Sequence, residues 1–170
     1  MSQYLIANGP MPTTAAFATV TTGTAIKTML QIKPFNVCYI VEWGISSDAP
    51  ASTGTYKCEL LDTGTVFGTV TASADADVMK FDGAEGAVAS VVGLTLGTSA
   101  TGYTCTSEGS ITAVKEFDLQ LMNGTTSNGI QYVKQFPLGY RPKCIIGNAV
   151  RIRVTASVAV NAYCYMVLEF

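Results

Sequence analysis

The chain has 170 residues, 48% of them apolar and only 13% charged, with ten Lys+Arg against twelve Asp+Glu and no histidine. That length fits a single domain with a sizeable core, and a net charge of −2 offers no basic field for a phosphate backbone, so nucleic acid is excluded as an expected partner. Lacking the side chain most used for acid-base work and metal binding near neutral pH, the chain is expected to be a non-enzyme, with no cofactor and no metal.

Residues 1–24 read as an extended N-terminal arm. Asn8-Gly9-Pro10-Met11-Pro12 carries two prolines and a glycine, which exclude helix and cannot sit inside a central strand. The Tyr4-Leu5-Ile6-Ala7 stretch before it has no basic flank and is too small for an export signal, so the chain is expected to stay in the cytoplasm where it is made. Ala16, Ala18 and Val20 alternate in a way that suits an added edge strand.

Residues 25–170 read as one β-sandwich domain. The expected strands are Ala25 to Ile32, Val37 to Ser46, Thr55 to Leu61, Thr65 to Thr71, Ala87 to Leu96, Tyr103 to Ser107, Ile111 to Leu121, Ile130 to Leu138, Ala149 to Ser157 and Ala162 to Phe170. Period-two alternation carries them, clearest where Val37, Tyr39, Val41, Trp43 and Ile45 alternate with Cys38, Ile40, Glu42 and Gly44. Turn residues mark the breaks, among them Lys33-Pro34, Asp62-Thr63-Gly64, Asn123-Gly124 and Gly147-Asn148. Thr112 to Met122 also has a helical spacing through Ala113, Phe117 and Leu121, but Phe117, Leu119 and Leu121 alternate with Glu116, Asp118 and Gln120, which favours strand. The polar stretch Ala72 to Gly86 reads as a long loop. The last two runs, separated by a short turn, read as a hairpin.

Some ten short strands at this spacing give an all-β sandwich, and a jelly roll is the expected form for a chain that assembles with others. Strand edges left over from such a fold pair with other chains unless covered. Together with the low charge, this leads to an expected homo-oligomer, taken as a homotrimer. No apolar window approaches the roughly 20 residues needed to cross a bilayer as a helix, so no membrane partner is expected.

Few constellations carry chemistry. Cys38, Cys58, Cys105, Cys144 and Cys164 are odd in number and widely spaced, which fits reduced thiols packed as small hydrophobes. Asp75, Asp77, Asp82 and Glu85 form the one dense acidic cluster, read as a solvated loop because the glycine of a calcium loop is replaced by Lys80. No phosphate-binding glycine motif is present, and serines such as Ser46, Ser47 and Ser110 have no histidine to activate them. Paired carboxylates such as Glu42 with Glu59 have the spacing a glycosidase would use if adjacent strands bring them together, against the plainer reading of Glu42 as a polar-face neighbour of packed Trp43. Arg151 and Arg153 share a face and suit pairing with carboxylates of a neighbouring strand or subunit. Tyr163 and Tyr165 suit a core or a subunit interface, and these four residues are the candidate interface set.

Ile26-Lys27-Thr28-Met29-Leu30-Gln31, Val41-Glu42-Trp43-Gly44-Ile45-Ser46, Leu96 to Thr104, Leu138-Gly139-Tyr140-Arg141-Pro142, Arg151 to Thr155 and Asn161 to Tyr165 together resemble the small β-rich virion proteins of tailed bacteriophages, especially those of actinobacteria. The resemblance implies a head decoration or minor capsid protein, made in the host cytoplasm and placed on the virion head surface, with the major capsid protein lattice as partner and no catalytic residue. It places the capsid contact on the arm, at Tyr4, Leu5, Ile6, Pro10, Met11 and Pro12. The alternative is a tail-associated sandwich whose exposed tyrosines stack on host carbohydrate.

Overall fold

The computed structural model of the chain describes residues 2–10, 19–81, 93–109 and 111–170. Two antiparallel sheets pack face to face as a β-sandwich. The first runs in the order β10 (Gln131–Gln135), β4 (Cys38–Ser47), β13 (Asn161–Glu169), β1 (Gln3–Ala7) and β7 (Val78–Lys80), with β11 (Lys143–Cys144) also on β4 and β2 (Val20–Thr21) on β13. The second runs β6 (Thr69–Ala72), β8 (Gly102–Ser107), β3 (Ile26–Ile32), β12 (Val150–Ala156), β5 (Gly54–Asp62) and β9 (Lys115–Gly124).

Alternation sorts the side chains between core and surface, but on β4 it is interrupted: the β4–β13 ladder shifts between Ile40 and Glu42, so Cys38 and Ile40, expected on the face opposite Trp43 and Ile45, turn into the core with them. Ile40, Trp43 and Ile45 of β4 and Cys164, Met166 and Leu168 of β13 meet Tyr56, Cys58 and Leu60 of β5 and Val150, Ile152 and Val154 of β12 in one apolar cluster. Trp43 has no exposed surface, and its ring nitrogen donates to Asp118 Oδ2 at 3.0 Å, an oxygen that also accepts from the Tyr132 hydroxyl at 2.8 Å. One carboxylate on β9 thereby ties β4 and β10 of the first sheet to the edge of the second.

Several expectations are corrected. Residues 3–7 are not part of a free arm: β1 pairs with β13 on one side and β7 on the other, and Tyr4 and Ile6 are buried in the core. The cause is the same alternation seen elsewhere, with Tyr4 and Ile6 inward while Leu5 pairs with Val167 in the outward row. The strand ends at Ala7, and the Asn8 N–H still donates to the Cys164 carbonyl at 3.0 Å, ahead of Pro10. Residues 20–21 also lie in the sheet, so a boundary at 24 does not separate arm from domain. Ala16 and Ala18 lie outside the described residues.

The final two strands are not a hairpin. β12 pairs with β3 and β5 in one sheet, whereas β13 pairs with β4 and β1 in the other. The turn between them crosses the sandwich, because each strand has its own apolar row to place against the shared core. Lys115–Gly124 is strand, as alternation requires, and Ala72 to Gly86 is not all loop: a short 3-10 turn at Asp75–Asp77 leads into β7. Residues 82–92, including most of the expected Ala87 to Leu96 strand, lie outside the described residues.

Candidate functional site

Arg151 and Arg153 project to the outward side of the second sheet, yet they are buried there. Chain segments before and after residue 110 and around residue 66 close over them. Arg153 donates from Nε to Glu59 Oε2 at 3.1 Å, from Nη2 to Glu59 Oε1 at 3.2 Å and from Nη1 to the Ile111 carbonyl at 2.6 Å. Arg151 donates to the Glu108 carbonyl at 2.9 Å, to Glu108 Oε2 at 3.3 Å and to the Val66 carbonyl at 2.7 Å. The Glu108 carboxylate also accepts from the Thr28 backbone N–H and hydroxyl, both at 2.6 Å.

Both guanidiniums thus anchor loops of their own chain, which corrects their assignment to a subunit interface. Burial pulls Arg151 below the ordinary arginine value while Glu108 works the other way. Burial raises the Glu59 carboxyl, but hydrogen bonds and charge from Arg153 and Lys57 outweigh it and hold the group below the usual range. Pairing with a neighbouring strand is the arrangement found: Glu59 lies opposite Arg153 in the β5–β12 register.

On the outward side of the first sheet, Tyr163 and Tyr165 stack with ring centroids 5.9 Å apart and planes 30° from parallel. The Tyr165 hydroxyl donates to Glu42 Oε1 at 2.6 Å; burial first, then this bond, pushes its ionisation well above the ordinary value. Both rings remain partly exposed. Glu42 therefore lies on one outer face of the sandwich and Glu59 on the other, so the two do not form a carboxylate pair.

Further along this face Glu169 pairs in register with Tyr39 and accepts from Arg141 Nη1 at 2.6 Å and from Gln3 Nε2 at 3.3 Å. Tyr39, Leu138, Gly139, Arg141 and Glu169 line a groove of about 410 Å³. The 137–140 turn forms one wall, with the Tyr140 N–H donating to the Pro137 carbonyl at 2.9 Å and Gly139 at φ +88°. A left-handed backbone suits glycine there. A tyrosine beside a paired arginine and carboxylate is a polar-and-aromatic surface able to bind a ligand.

The same side of the molecule carries the apolar surface that sequence reading missed. Leu138 and Tyr140 are 77% and 81% exposed, and Phe35, Val37, Ile145 and Ile146 lie between 39% and 57%. Backbone bonds gather the last four: Gly147 N–H donates to the Pro34 carbonyl at 2.9 Å, and Cys144 pairs with Cys38, next to Val37. Runs of turn residues in the sequence hid these side chains, since a turn signals direction change and not what it displays.

Of the expected arm contacts, Tyr4 and Ile6 are core and Leu5 is in the outward row of β1; Pro10 is exposed, and Met11 and Pro12 lie outside the described residues. All five cysteines are free and buried. Burial, with Glu59 adding to it, pushes the Cys58 thiol up to about 12, and burial raises Cys105 to about 11. The acidic cluster is partly structural, with Asp77 Oδ2 accepting from the Ala74 N–H at 2.7 Å; Asp82 and Glu85 lie outside the described residues. Compared with protein-family models, curated proteins and solved structures, the chain has no match.

Proposed function

We propose that the chain is a structural protein of a tailed-phage virion, a decoration protein that seats on the outer surface of the head lattice and stabilises it. The observation that carries this reading is the set of exposed apolar side chains on the segments that flank β4 and β11: Phe35, Val37, Leu138, Tyr140, Ile145 and Ile146. Exposed large apolar side chains gathered on one side mark contact with another macromolecule. The sequence resemblance supplies the lattice as that macromolecule. Consecutive strands β3, β4 and β5 cross from sheet to sheet and back, which supports the jelly-roll form of the sandwich.

This apolar set takes over the capsid contact first expected of Tyr4, Leu5 and Ile6. Several copies bound to one lattice would gain from high effective concentration, so each contact need not be strong. Purified heads lacking the protein, incubated with wild-type chain and with a Leu138→Asp/Tyr140→Asp variant, test it by cryo-EM occupancy. Saturable wild-type density with loss in the variant is the expected result. Equal occupancy by both, or none by either, overturns the reading.

A second reading rests on the groove of Tyr39, Arg141 and Glu169: a tail-associated sandwich in which tyrosine stacks on a sugar ring and the ion pair holds its hydroxyls. A glycan array separates the two. Sugar binding lost on Tyr39→Ala, with no attachment to heads, favours it.

A further inference from the structure

We propose that β9 is the edge through which two copies of this chain pair, antiparallel and about a two-fold axis at Gln120. This goes beyond the virion reading and does not depend on it. β9 borders the second sheet, and its backbone pairs with β5 alone among the described residues. It is ten residues long and, past Asp118, carries no charge from Leu119 to Gly124, whereas natural sheets usually keep open edges short or charged. Leu119 and Leu121, 41% and 71% exposed, stand on its outward face, while Met122 and Phe117 pack against the core and Asp118 reaches inward to Trp43.

The register follows from what each alignment would oppose. The β5–β9 ladder shifts between Leu60 and Leu61, leaving Phe117 out of register and the regular stretch running from Asp118 to Gly124. An axis at Gln120 sets Leu119 opposite the second copy's Leu121 twice over, with Gln120 on Gln120 and Asp118 on Met122. All these positions lie within the regular stretch, and no like charges meet. An axis at Asp118 opposes two carboxylates directly, which is destabilising. An axis at Leu119 brings the out-of-register Phe117 against Leu121, and one at Leu121 sets Leu119 against Asn123.

The surroundings suit a buried leucine cluster. Leu119 and Leu121 lie beside Glu59 and Lys57 of β5, which pair with each other at 2.8 Å, and Glu59 also holds Arg153. The carboxylate next to the leucines is thus already paired. Ile111, 55% exposed, has its carbonyl on Arg153 in that same row and extends the apolar area. A self-complementary contact about a two-fold closes at two copies, so the expected assembly is a dimer and not a trimer.

Sedimentation of the full chain tests this. Wild-type protein is expected at twice the chain mass, and Leu119→Lys or Leu121→Glu alone weakens the dimer by about tenfold or more, since each sets a charge against leucine. The variant carrying both substitutions sets the new ammonium against the new carboxylate across the axis and is expected to recover part of the affinity. Circular dichroism checks that each variant keeps its fold. A Leu119→Cys/Leu121→Cys chain is expected to cross-link between copies under a disulfide oxidant, and Leu119→Cys alone is not. A wild-type monomer, a trimer, or a dimer untouched by both charge variants overturns the proposal.

Discussion

Arg153 and Glu59 face one another across β12 and β5 as a two-point ion pair, with nitrogen-to-oxygen distances of 3.1 and 3.2 Å, almost wholly buried within one chain. A third donor of the same guanidinium holds the Ile111 carbonyl, so the pair fastens a covering segment as well as two strands. Removing one partner leaves a buried charge uncompensated. Arg153→Ala and Glu59→Gln are each expected to destabilise the fold by about 3–5 kcal/mol in urea unfolding. Replacing both residues with apolar ones of similar volume should cost less than either single change.

Acid acts on the same pair. The folded-state value of Glu59 is held below the ordinary carboxylate value, as is that of Glu169, through the Arg141 hydrogen bond first. A depressed folded value means that the added stability is present above the unfolded pKa of roughly 4.3 and is lost as the pH falls through the folded value. Unfolding free energy measured downward from pH 6 is expected to fall below that range, and Glu59→Gln should flatten the fall.

The N-terminal strand gives a sharp contrast between the two pictures of residues 1–24. Ile6 has no exposed surface and sits between β13 and β7 neighbours. Ile6→Ala is expected to destabilise by about 2–5 kcal/mol, and deletion of residues 1–8 to prevent stable folding. Thermal unfolding of the two variants checks it; a folded, stable deletion would restore the free-arm picture.

Gly44 is the space in which the Tyr165 ring lies. A Cβ built on Gly44 would meet Tyr165 Cε1 at 2.6 Å and its hydroxyl at 2.9 Å, so Gly44→Val must displace the ring and its bond to Glu42. The expected loss is about 1–3 kcal/mol. Ultraviolet titration of the tyrosines should show Tyr165 ionising earlier in the variant, since its raised value rests on burial and on that bond.

Thiol accessibility provides a direct check of core integrity. All five cysteines are buried and Cys58 is raised to about 12, leaving little thiolate near neutral pH. A disulfide reagent such as dithionitrobenzoate is expected to react with none of them in the native protein and with all five after denaturation. Prompt reaction of any native thiol would contradict the buried placement.

The sequence by itself determined the class of fold and most of its strands, because alternation at period two is a local property: Trp43 inward beside Glu42 outward, or Ile152 between Arg151 and Arg153, is written in neighbouring letters. It also determined that the arginines share a face. Which strand lies next to which was decided only by the tertiary structure, since pairing joins residues such as Glu59 and Arg153, or Tyr4 and Leu168, that are far apart in the chain, and no local pattern encodes the partner. For the same reason the covering of Arg151 by Glu108, the crossing of the last turn between sheets and the exposure of Leu138 and Tyr140 became visible only once the two layers were assembled.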